Sequence, residues 1–158
     1  RNICAAYLGF ENQIYQERFE GTMEALREHG LEQCVKQFIF DIKDIQDSYM
    51  RIRKVLEGRD RPTALIAAND MLCFGAYSAA SDCGLSIPGD FSVTGYSMAS
   101  LMMPPLTSFR QPEDVMAKGG VDYLLECIAG NSPAPPARLR GELVVRQSVC
   151  DIRGDTCL

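Results

Sequence analysis

Thr63-Ala64-Leu65-Ile66-Ala67-Ala68 is an apolar run that stops abruptly at Asn69-Asp70. From Met71 to about Ser81 the residues read as an amphipathic helix, which Gly84 ends. Ile87-Pro88-Gly89-Asp90 supplies turn chemistry, and Phe91-Ser92-Val93-Thr94-Gly95-Tyr96 reads as a second strand. Two short apolar strands joined by one helix make a βαβ unit, whose strands run parallel. In open α/β sheets, ligands sit outside the carboxyl ends of the strands. Two polar groups fall there, Asn69-Asp70 and Ser97.

The same alternation extends in both directions. Ile3-Cys4-Ala5-Ala6-Tyr7-Leu8 is continuously apolar, as in a strand buried on both faces. It begins almost at residue 1, which suggests a fragment of a longer protein. Tyr15 to Glu28 carries Phe19, Met23 and Leu26 at helical spacing, with Gly30 as the stop. Val35 to Phe40 is the next strand. Asp44 or Asp47 suits the cap of a following helix with Tyr49, Ile52, Val55 and Leu56 on one face. Beyond Tyr96, Ser97 to Pro105 reads as a loop. Its methionines Met98, Met102 and Met103 either form an adaptable surface or cover the core. Leu106 to Arg110 suits a short strand, Glu113 to Ala129 a long helix, and Leu143 to Val145 a last strand, with a tail from Cys150. This order predicts an α/β fold: a parallel sheet flanked by helices.

Bulk properties exclude several classes. The chain of 158 residues is 46% hydrophobic and 23% charged, as in a soluble globular protein. A net charge of −5 offers no electrostatic footprint for nucleic acid. No apolar run is long enough to span a bilayer, so no membrane partner is expected. The seven cysteines are odd in number and contain no C-x-x-C, so they read as reduced thiols of a cytoplasmic protein. The single histidine, His29, has no metal partner at useful spacing and suits the last turn of a helix. There is no G-x-G-x-x-G, Walker, G-x-S-x-G or H-E-x-x-H pattern. No catalytic residue, metal ligand or cofactor is therefore assigned, and the chain is not expected to be an enzyme.

Three residues are candidates for ligand binding, each with a plainer alternative. Arg18 can present its rigid fork to a hydroxyl or carboxylate, or be a solvated helix arginine. Asn69 offers both a donor and an acceptor, or one of Asn69 and Asp70 caps the helix while the other faces the cleft. Ser97 can donate to a ligand, or be an ordinary loop serine.

The ordered series Arg61-Pro62-Thr63-Ala64, Ala67-Ala68-Asn69-Asp70, Gly84-Leu85-Ser86-Ile87-Pro88-Gly89-Asp90, Ser92-Val93-Thr94-Gly95-Tyr96, Pro104-Pro105-Leu106-Thr107-Ser108 and Arg110-Gln111-Pro112 resembles the LacI/GalR (lactose-repressor) family of transcription regulators. Glu142-Leu143-Val144-Val145-Arg146-Gln147-Ser148 and Glu17-Arg18-Phe19-Glu20-Gly21 continue the likeness. The resemblance implies a truncated, periplasmic-binding-protein-like (type I) C-terminal subdomain over residues 1–112. It implies a crossover helix of the N-terminal subdomain over 113–131, then a return strand and tail over 132–158. It implies an effector cleft between two subdomains, contacted by Arg18 and Asn69. The position after Gly95-Tyr96, usually Asp in the family, is Ser97 here. The resemblance implies an effector that is a small polar molecule, a sugar or related metabolite. Further partners implied are a second copy in a homodimer, paired through the Met71 to Ser81 helix, and operator DNA, reached only through a helix-turn-helix domain absent from this chain. An exported sugar-binding protein of a transporter shares the fold and is the alternative.

Overall fold

The computed structural model describes residues 2–97 and 101–151. Met98 and the tail from residue 152 lie outside them. Along the chain run β1 (Ile3–Ala6), α1 (Gln13–Glu28), a 3-10 turn (Glu32–Cys34), β2 (Val35–Ile39), α2 (Ile45–Leu56), β3 (Ala64–Ala67) and α3 (Asp70–Asp82). Then come β4 (Ser92–Tyr96), β5 (Thr107–Arg110), α4 (Glu113–Ile128) and β6 (Glu142–Val144).

All six strands form one sheet in the order β2-β1-β3-β4-β5-β6. The first five run parallel, as the alternation of strands and helices requires, and β6 returns antiparallel to β5. The chain steps from β1 to β2 on one side and then to β3 on the other. The connections leaving the carboxyl ends of β1 and β3 therefore run to opposite sides, from β1 to β2 and from β3 to β4. The register aligns Ala6 with Ala67, so the tips of β1 and β3 end level.

Each face of the sheet has its own core. Along β1, Cys4 and Ala6 point to the α2–α3 side, while Ala5 and Tyr7 point to the α1 side. This period-two alternation makes a wholly apolar strand necessary when both faces are covered. On the α2–α3 side, Ile52, Leu56, Leu72, Ala76, Phe91, Val93 and Leu106 close the core. Met102 joins it and Met103 is exposed, so the loop methionines divide between covering the core and lying on the surface. On the other side, α1 packs through aromatic rings. Phe19 meets Tyr7, Phe38 and Phe40 at 5.6 Å edge-on, and Phe10 at 5.4 Å.

Helix starts follow local chemistry. Asp44, rather than Asp47, caps α2 by accepting from the Asp47 N–H at 2.7 Å, and Asp47 in turn accepts from Lys43 N–H. His29 is the C-cap residue of α1. Helices α2 and α3 come close because Gly75 has no side chain. A Cβ there would lie 2.6 Å from the Tyr49 nitrogen and 2.7 Å from Ser48 Cβ. At the same contact the Ser48 hydroxyl donates to the Leu72 carbonyl at 2.8 Å.

The last segment is stitched to the sheet by polar groups. Ser148 is buried, donates its hydroxyl to the Val93 carbonyl at 2.6 Å and accepts from Thr107 N–H at 2.8 Å. By contrast, no residue of α4 is buried. Its apolar residues Val115, Val121, Leu124, Leu125 and Ile128 are exposed, Ile128 to 73%.

None of the six described cysteines is in a disulfide. Burial pushes the Cys4 thiol up to about 12 and raises that of Cys73 well above its ordinary value, while Cys127 is exposed on α4. Because the thiolate is the reactive form, iodoacetamide at pH 8 is expected to label Cys127 in the folded protein. It should reach Cys4 and Cys73 only after denaturant is added, as read by mass spectrometry of peptides. Gly75→Ala is expected to cost about 1–3 kcal/mol by overpacking against the α2 backbone. An unchanged urea midpoint would show that α2 and α3 separate without penalty.

Candidate functional site

The site is built on the tips of β1, β3 and β4, where the reversal of strand order opens the sheet. Helix α1 starts with Asn12, whose side chain accepts from Ile14 N–H at 2.9 Å. The Phe19 ring, wedged among Tyr7, Phe10, Phe38 and Phe40, fixes how α1 is rolled on the sheet. Arg18, its neighbour, is thereby turned across the strand ends. Its Nη1 donates to the Ala68 carbonyl at 2.5 Å, just past β3. Its guanidinium carbon lies 3.6 Å from the centre of the Tyr96 ring, at the end of β4, and 5.5 Å from that of Tyr15. Tyr96 stacks in turn on Phe109 of β5, centres 4.9 Å apart.

Arg18 thus touches the residues immediately before Asn69 and Ser97. This brings the three candidates to one rim, and all three are half-buried. Asn69 is the N-cap of α3, its side-chain oxygen accepting from Met71 N–H at 2.7 Å. Ser97 has φ 112°, a left-handed value that favours glycine, and its N–H donates to the Phe109 carbonyl at 3.0 Å. Non-glycine residues held there carry strain of roughly 1–3 kcal/mol, and such positions gather at ligand sites.

Asp70 takes a different part from its neighbour. It is only 3% exposed and turns away from the rim into the sheet. Its two carboxylate oxygens accept from the Ser108 hydroxyl at 2.9 and 3.1 Å. Gly95 makes room for it: a Cβ there would collide with the Asp70 carboxylate and lie 2.8 Å from Leu106 Cδ2. Of the Asn69-Asp70 pair, then, the capping residue is also the one at the rim, and neither is left over to face a cleft alone. The residues alone suggest a division of these roles between the two, and the structure combines them in Asn69. The reason is that an N-cap oxygen occupies only half of an amide, while a carboxylate in the first helical turn points at the neighbouring strands.

Beside the rim, between the ends of β1 and β2, lies a hollow of about 510 Å³. Leu8, Asn12, Tyr15, Asp41 and Lys43 are among its walls, and Tyr15 is shared with the Arg18 cluster. Sequence reasoning missed Tyr96 and Tyr15. The signals available were weak: Tyr15 lies one helical turn before Arg18, and Tyr96 directly precedes Ser97. Among the described residues no cluster of three or more His, Cys, Asp or Glu is placed to hold a metal, and no helix is long and apolar enough to cross a membrane.

Comparison with known proteins gives consistent matches. A profile of the periplasmic binding protein-like domain matches residues 3–149. The HTH-type transcriptional repressor PurR of Mannheimia succiniciproducens is 31% identical over 138 residues, covering 85% of this chain and 41% of that protein. A lactose operon repressor of Rhizobium radiobacter is 33% identical over 106 residues, 65% of this chain and 94% of that protein. The crystal structure of a LacI transcriptional regulator from a Rhodococcus species superposes with a TM-score of 0.81 at 27% identity, over 94% of this chain and 56% of that one. The chain therefore spans about two-fifths of the length of the first of these relatives.

Replacing Asn69 by Ala is expected to lower stability by about 1 kcal/mol through the lost cap, whereas Asn69→Ser should retain most of it. Equal urea midpoints for Asn69→Ala and the unaltered protein would show that the cap contributes nothing.

Proposed function

Since the chain belongs to the LacI/GalR branch of the periplasmic binding protein-like family, we propose that it is the effector-sensing part of a DNA-binding transcriptional regulator. The named relatives are repressors and not enzymes, and this chain is likewise not an enzyme. The observation that carries the reading is Arg18 laid across the tips of β3 and β4. On this reading, Arg18, Asn69 and Ser97 contact a small polar effector, a sugar or related metabolite.

The division of the chain follows from the same proposal. Residues 1–112 form one subdomain and 113–131 the crossover helix of a second. Residues 132–158 form the return strand and tail. Supporting this, α4 carries an apolar face and buries none of it here. The effector cleft then lies between the two subdomains. Binding favours one arrangement of them over the other, and that difference shifts the population competent for operator DNA. DNA is contacted through a helix-turn-helix domain elsewhere in the protein, in keeping with the net charge of −5 in this part. Pairing of two copies through α3 and a cytoplasmic location complete the proposal. The alternative, an exported sugar-binding protein, is disfavoured by relatives that are all named as repressors among those compared.

In the intact regulator, Arg18→Ala is expected to weaken effector binding on the order of 10–100-fold, as removal of charge-assisted hydrogen bonds does. Operator affinity without effector should stay unchanged. A reporter and a gel-shift titration measure the two effects, and unaltered induction in Arg18→Ala would remove this residue from the site.

A further inference from the structure

The hydrogen-bonding capacity of the rim is one-sided. Arg18 gives Nη1 to the Ala68 carbonyl and one face to Tyr96, so its Nε and Nη2 donors have no hydrogen-bond partner among the described residues. No carboxylate lies within ion-pair distance of it there. The oxygen of Asn69 is occupied by Met71 N–H, and its NH2 group has no partner among the described residues. Among the described residues the Ser97 hydroxyl has no partner either, and its backbone N–H donates to the Phe109 carbonyl. The adjacent acid, Asp70, is buried with both oxygens on Ser108. Asp41, at the neighbouring hollow, accepts from Phe10 N–H, and Lys43 lines the same hollow. What remains at the rim, among the described residues, is one cation and two neutral groups with N–H or O–H to give.

A half-buried guanidinium with no counter-charge among the described residues favours an anion. Its planar edge matches a carboxylate in a two-point hydrogen bond. We propose, resting on the sensing role above, that the effector carries a carboxylate: a small polyol or similar polar metabolite in its acid form. The carboxylate sits on the Nε–Nη2 edge of Arg18, and further oxygens accept from Asn69 Nδ2 and Ser97 Oγ. A neutral hydroxyl in the same place would leave the positive edge uncompensated.

The experiment is a thermal-shift and calorimetric comparison on the intact protein at fixed ionic strength. The probes are matched sets: gluconate with glucose, galacturonate with galactose, and glucose 6-phosphate as the phosphate-bearing arm. The expected result is that a carboxylate member binds at least tenfold tighter than its neutral parent. This preference should be lost in Arg18→Gln and reduced in Ser97→Asp, both variants keeping the far-ultraviolet circular dichroism spectrum of the unaltered protein as evidence of folding. A neutral parent that binds equally well or better overturns the charge assignment and leaves the sensing role standing. Binding of the phosphate member alone overturns the carboxylate. If no member of any set shifts the melting temperature, the assignment falls, and the sensing role is judged separately by the induction experiment on Arg18→Ala.

Discussion

Parallel pairing of β1 with a neighbour on each side is the constraint on which the rest depends. A strand in that position can carry no polar side chain, because one face meets α2 and α3 and the other meets α1. It also fixes where polar chemistry is allowed. The strands surrender their backbone partners only at their ends, so Arg18, Asn69 and Ser97 gather where β1, β3 and β4 stop. Fold and candidate site are thus two results of one pairing pattern.

Much of this was readable from residue order, for physical reasons. Apolar runs such as Ile3 to Leu8 and Thr63 to Ala68 have one structural use in an alternating α/β chain, and they became β1 and β3. Glycine and capping residues set the helix limits closely: Asn69 begins α3, and Gly84, just beyond its end, has φ 68°. The direction of the last strand was not readable. Glu142 to Val144 has the same apolar character whether it runs with or against β5, and the reversal follows only from the path of α4 and the proline-rich segment. The 3-10 turn at Glu32–Cys34 had no signal of its own.

The site was readable in its residues and not in its division of labour. Asn and Asp are both good caps, so composition alone could not say that Asn69 stays at the rim while Asp70 plunges towards Ser108. That choice depends on Gly95, twenty-five residues later, being small enough to admit a carboxylate. Tyr96 was hidden for a similar reason: it reads as strand, and only the roll of α1 on its aromatic bed reveals that the ring supports Arg18.

The stack of Tyr96 on Phe109 has a mechanical side. Tyr96 ends β4, and Phe109 lies on β5, paired with Leu143 of the returning chain. The guanidinium therefore rests on a column of rings whose base is set in the two strands that lead out of this sheet and back. A sliding of β5 against β4 would tilt that column and move the positive charge with it. Strand shear and the placement of the rim's cation are geometrically the same displacement.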